Sequence, residues 1–244
     1  LATLYNNDDM KNMFKSLLAI ASLVIALSIT AADASSVGVT AGYNNNYVVN
    51  GVVRNNASAL IAVDASKSLK YADIYVKGTL LPNNDLDQSH WTLGAGKTFG
   101  LFSDFALRTE ADVTRHQSGV AGVPNSTEVG AKLSLSNSYV TPYVRGSYDY
   151  NLDQTGVSAG FYRVQPLLYG FTVTPLAEYG KFTDYEAFLA KVTVARPFAL
   201  SFGTLTPFAD VSWIDNNFSV SKYNFATKEL NGAVVVSAGL NLRF

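Results

Sequence analysis

From Val37 to Phe244 the chain alternates apolar and polar residues with a period of two, and the alternation hardly breaks. Val37, Val39, Ala41 and Tyr43 fall on one face, against Gly38, Thr40, Gly42 and Asn44 on the other. Phe105, Leu107, Ala111 and Val113 oppose Arg108, Glu110, Asp112 and Thr114. Val129, Ala131, Leu133 and Leu135 oppose Glu128, Gly130, Lys132 and Ser134. Successive side chains of an extended chain point to opposite sides, so this pattern specifies strands and leaves no room for a helical 3.6 period. Approximate strands at 36–49, 57–67, 71–81, 89–99, 104–116, 125–136, 139–150, 156–165, 171–181, 185–196, 204–215 and 229–244 make twelve. Ten or fourteen fit the same pattern.

Alternation alone is shared by soluble β-sandwiches, so the residue types on each face decide. One face carries short aliphatics with aromatics near the strand ends, and the other carries ionised groups at mid-strand. A sandwich buries its apolar face in its own core, whereas a membrane barrel turns it outward and keeps its polar face inside. Charged residues are only 15% of the chain, against about 25% in ordinary soluble domains. Trp91 begins one strand and Trp213 ends another beside polar loops, where an indole suits a membrane interface. The expected fold is therefore all-β: a transmembrane up-and-down antiparallel barrel of twelve strands. Its partners would be a lipid bilayer outside and small hydrophilic solutes inside. Lysines plus arginines (18) nearly balance aspartates plus glutamates (19), which provides no basic surface for nucleic acid.

The segment before the alternation has a different character. Met10-Lys11-Asn12-Met13-Phe14-Lys15 is a short basic start, Ser16 to Thr30 is an apolar run, and Ala32-Asp33-Ala34 has small residues at a cleavage spacing. The run is too short to span a bilayer as a helix, so residues 10–34 read as a cleaved secretory signal and 35–244 as the barrel. Residues 1–9 precede the first Met and receive no role.

Connections of unequal length set the expected orientation. Ser68-Leu69-Lys70 and Asn137-Ser138 are tight, whereas 82–88, 117–125 and 216–228 are longer and polar, which places both barrel ends in the periplasm. Thr141-Pro142, Thr174-Pro175 and Thr206-Pro207 recur at hairpin spacing. Proline lacks the N–H a ladder needs, so each should mark a strand start.

Inward positions hold the acids Asp64, Asp73, Glu110, Asp112, Glu128, Asp149, Glu178 and Asp210 and the bases Lys77, Arg108, Lys132, Arg145, Lys191 and Arg243. They fit either a network that satisfies charges inside the lumen or a constriction that sets conductance and selectivity. Arg145, Glu178 and Asp210 each follow a repeat proline by three residues, on strands ~9.6 Å apart, twice the inter-strand distance, with Lys191 placed to bridge. Arg108, Glu110, Asp112, Glu128 and Lys132 complete the lumen and selectivity candidates.

Other chemistry is sparse. There are no cysteines, and the two histidines, His90 and His116, stand 26 residues apart without metal-ligand spacing. Ser89 beside His90, and Gln117 and Ser118 beside His116, form no recognisable hydrolase motif. No metal or cofactor is expected, and no enzymatic activity. Phe218, Tyr223 and Phe225, in the loop from Asp215 to Glu229, could cover the barrel mouth or bind a partner.

The terminal run Leu240-Asn241-Leu242-Arg243-Phe244 resembles the closing signature of bacterial outer-membrane β-barrels, apolar at alternate positions and ending in an aromatic. That resemblance implies secretion by the general pathway and assembly by the barrel machinery, with Leu240, Leu242 and Phe244 as its signal. More narrowly, Tyr43-Asn44-Asn45-Asn46-Tyr47-Val48-Val49-Asn50-Gly51-Val52 resembles the opening strand of the TorF-like porins, with Asn50 where that family carries arginine. The expected function is passive, weakly selective diffusion of small hydrophilic solutes across the outer membrane. The alternative is a structural or surface-recognition barrel, for adhesion or phage attachment, with an occluded lumen.

Overall fold

The computed structural model describes residues 35–49, 52–81, 88–117, 125–217 and 233–244. The signal read at 10–34, residues 1–9 and most of the aromatic loop, with Phe218, Tyr223 and Phe225, lie outside them. Twelve strands form the wall: β1 Ser35–Val49, β2 Val52–Ser68, β3 Asp73–Leu81, β4 Gln88–Phe102, β5 Phe105–Gln117 and β6 Ser126–Ser136. They continue as β7 Thr141–Asp149, β8 Gln154–Tyr162, β9 Thr172–Phe182, β10 Glu186–Ala195, β11 Gly203–Asn216 and β12 Ala233–Arg243. Each is antiparallel to its sequence neighbours, and β12 pairs with β1, so the sheet closes as an up-and-down barrel. The seam extends past the last ladder pair: Phe244 N–H donates to Val37 O at 2.8 Å, and Val37 N–H donates to Phe244 O at 3.3 Å.

The alternation maps onto the wall as expected. Leu93, Val211 and Leu240 face outward and are 62%, 52% and 50% exposed, although they are large and apolar. Exposure on that scale all round a closed sheet is stable only in hydrocarbon, which is how outer-membrane barrels are solvated. Trp91 and Trp213 both face outward near the end of the barrel opposite Ser35 and Arg243, and Trp91 lies over Gly78 of β3. At the other end Tyr71, Tyr139, Phe202 and Phe244 form an aromatic rim. No helix among the described residues is long and apolar enough to cross a membrane.

Three local details depart from the sequence expectation. First, β4 and β5 run on to a tight turn at Ser103-Asp104. Ser103 takes a left-handed φ of 48°, and the register shifts between Gly100 and Phe102. Second, only Pro142 lies at a strand start, and Pro175 and Pro207 sit inside β9 and β11. Pro175 O accepts from Arg163 N at 3.2 Å and Pro207 O from Arg196 N at 3.1 Å, each beside the point where the preceding strand ends. The missing N–H points the same way, so each proline forgoes only the return bond of that last pair, at the very end of its ladder. Third, connection length does not alternate strictly. Segments 163–171 and 196–202 are long and carry short paired pieces, Gln165–Pro166 and Phe198–Leu200, whereas 150–153 and 183–185 on the opposite end are short.

Candidate functional site

Every inward charge named from the sequence lies on the lumen face, and most are paired along the wall. Arg145 of β7 donates Nη1 to Asp112 Oδ2 at 2.6 Å and Nη2 to Asp112 Oδ1 at 2.9 Å, a forked bond to β5, two strands away. Its Nη2 also reaches Glu128 Oε1 of β6 at 2.9 Å. The reach is possible because Gly130 lies on β6 between them, and a methyl group added there would overlap the guanidinium. Fork-to-carboxylate geometry fixes direction as well as charge, so Arg145 is held flat against the sheet.

The same device recurs around the barrel. Arg108 of β5 lies over Gly96 of β4 to meet Asp73 of β3 at 3.1 Å, while its Nε bonds Glu110 at 3.1 Å. Tyr143 of β7 lies over Gly160 of β8, and its hydroxyl donates to Glu178 of β9. Asp64 of β2 lies over Gly38 of β1 and accepts from Arg243 of β12 at 2.9 Å, across the closing seam. Lys132 sits over the Tyr143 ring at 4.2 Å, and Lys191 pairs with Asp210 at 2.9 Å. Asp149 performs local work, accepting from the N–H groups of Asn151 and Leu152 in the turn after β7.

Of the repeat-proline trio, Arg145, Glu178 and Asp210 all point inward. Following the ladder, the Arg145 row passes Ser158 to Gly180, and the Glu178 row passes Leu189 to Ile214. Lys191 bonds Asp210, and Glu178 is held by Tyr143 instead. Beside Glu178, Lys191 and Asp210 a cavity of about 420 Å³ opens on the lumen, bounded further by Asn44, Thr79 and Ser237. Toward the outer mouth its lining becomes apolar, with Phe182, Ala187, Leu189, Ile214 and Val235.

Sequence reasoning missed two arrangements. One is the set of inward glycines, Gly38, Gly96, Gly130 and Gly160, whose parity was readable but whose partners depend on register. The other is a histidine pair: His90 and His116 lie directly opposite each other on β4 and β5, with their Nδ1 atoms 2.5 Å apart. Ser89 and Gln117 form the next pair, on the opposite face, with Ser89 Oγ donating to Gln117 Oε1 at 2.9 Å. The serine and the histidine beside it therefore point to different sides of the wall.

No family model matches the chain, so the narrower resemblance to TorF-like porins gains no further support. No curated protein matches it either. Solved structures do. A KdgM porin in complex with disordered oligogalacturonate aligns over 86% of this chain and 99% of its own, with a TM-score of 0.54 at 8% identity. The NanC porin aligns over 84% and 98%, at 0.54 and 10%. Outer membrane phospholipase A from Escherichia coli aligns over 84% and 89%, at 0.52 and 11%. At these identities the likeness is one of fold: a closed, antiparallel twelve-strand barrel, shared by the two porins and the phospholipase.

Proposed function

We propose that this barrel is an outer-membrane channel for passive diffusion of small hydrophilic solutes. The observation that carries the reading is the placement of the lumen charges. Arg145, Arg108, Tyr143 and Asp64 lie along the wall over inward glycines instead of reaching across the lumen. A barrel whose interior exists only to be filled has no use for that arrangement. A channel does, because charges held flat by their partners line a passage without closing it. The cavity beside Glu178, Lys191 and Asp210 is the space left over. Paired acids and bases leave little net charge, which supports weak ion preference. Fold likeness to KdgM and NanC fits this reading, while the oligogalacturonate belongs to the KdgM complex.

A second reading, the occluded recognition barrel, draws on one observation. Inward Leu81 and Ile214, near the outer mouth, are 0% and 1% exposed. Liposome swelling separates the two. Vesicles holding the purified barrel should admit arabinose faster than sucrose, and sucrose faster than raffinose. Swelling rates equal to those of empty vesicles for all three would favour the occluded barrel.

A further inference from the structure

The chain has two histidines, and the fold brings them into contact. We propose that His90 and His116 form a two-imidazole binding site for a first-row divalent transition-metal ion at the outer mouth of the barrel. The pair sits on the lumen face of the β4–β5 hairpin, one inward row beyond Thr92 and Thr114, whose hydroxyls bond at 2.9 Å. Its rings meet edge to face, with centroids 4.7 Å apart and planes at 78°. In that orientation the two Nδ1 atoms are the atoms through which the rings face each other.

Two neutral imidazoles at this approach share a single proton, so one of them presents a bare Nδ1 to the other. An ion can take the proton's place. Metal–nitrogen bonds of ~2.0–2.1 Å put two ligands of one ion roughly 3 Å apart. The observed 2.5 Å needs less than about an ångström of widening, which small side-chain torsions supply. The neighbouring positions do not oppose a cation strongly. Thr79 stands opposite His90 and Ser126 opposite His116, both hydroxyl residues. The charged residues facing the pair from the adjoining strands, one row further in, are Glu128 opposite Thr114 and Lys77 opposite Thr92, of opposite sign.

Among the described residues no group of three or more ligating side chains exists, so the described residues supply two nitrogens, with water to fill the remaining positions. Imidazole suits copper, nickel and zinc, and the usual affinity order puts Cu²⁺ first. Bound there, the ion would clip β4 to β5 and place two positive charges at the mouth. The site needs a folded barrel but not an open one, so it stands or falls independently of the channel reading.

The test is Cu²⁺ titration of the untagged, folded barrel in detergent, followed by calorimetry and electron paramagnetic resonance. One ion should bind per barrel at pH 7.5, with hyperfine structure from two imidazole nitrogens. His90→Ala and His116→Ala should each weaken binding at least about tenfold and leave one nitrogen, in keeping with loss of half a chelate. The double variant should lose the ion. If an alanine variant fails the heat-modifiability check for folding, His116→Gln serves in its place. No binding above the double variant's background, or tight binding indifferent to both histidines, would overturn the proposal.

Discussion

Arg145 grips Asp112 across the bare backbone of Gly130, two strands from where its own Cα sits. That one relationship joins the inward glycine, the wall-hugging charge and the free lumen beside it, and it can be broken at the glycine without touching either charge. Gly130→Val should force the guanidinium off Asp112 and strand two carboxylates with side-chain exposures of 7% and 9%. We expect a loss of about 2 kcal/mol, below the ~3–5 kcal/mol for a fully buried pair because Arg145 keeps a quarter of its exposure. Urea unfolding in lipid vesicles measures it. Gly146→Ala, with open space around its Cα, is the control and should be neutral.

The outward face makes a depth-dependent prediction. Leu93→Arg, on the exposed apolar face one outward position inside Trp91, should destabilise the barrel by about 1–2 kcal/mol, between the small cost of a cation at the interface and the larger one at the bilayer midplane. Thr92→Arg places the same charge one residue away but on the lumen face, and should cost about a quarter as much or less. Equal losses in vesicle-based unfolding would mean the two faces are not solvated differently.

Much of this was legible before any coordinates. Parity assigned Leu107, Val113 and Leu240 outward and Arg108, Glu110 and Asp112 inward, because pleating leaves no alternative once strands are given. What parity cannot supply is register. A turn placed at 100–103 would set His90 opposite Val113, but the turn at Ser103-Asp104, with the shift before Phe102, sets it opposite His116. That three-residue difference in register hides or reveals the histidine pair. The Arg145–Asp112 bond was hidden for a related reason. It spans two strands, and only a folded sheet shows which glycine lies between.

The closing strand carries a prediction about assembly. Phe244 is 55% exposed on the apolar side, and its backbone completes the seam with Val37. Deleting Phe244 removes that pair of backbone bonds together with the aromatic end of the terminal signature. The heat-modifiable fraction recovered from outer membranes should fall several-fold, and Leu242→Asp should act in the same direction. Normal recovery of both variants would assign the final strand a purely structural role.

The ion preference of the lumen should depend on Glu178 and Asp210. Neutralising both, by Glu178→Gln with Asp210→Asn, leaves Lys191 without its partner and adds two positive units to the wall of the cavity. The reversal potential in a potassium chloride gradient should move toward anions. Removing one charge of each sign, by Asp112→Asn with Arg145→Gln, should shift it less.

The claim that the lumen is open is tested most directly by recording single channels of the purified barrel in a planar bilayer. The account predicts discrete steps above the lipid baseline, ohmic at low voltage, with only a weak preference between potassium and chloride. A folded, heat-modifiable protein that inserts and gives no steps at any voltage would contradict it.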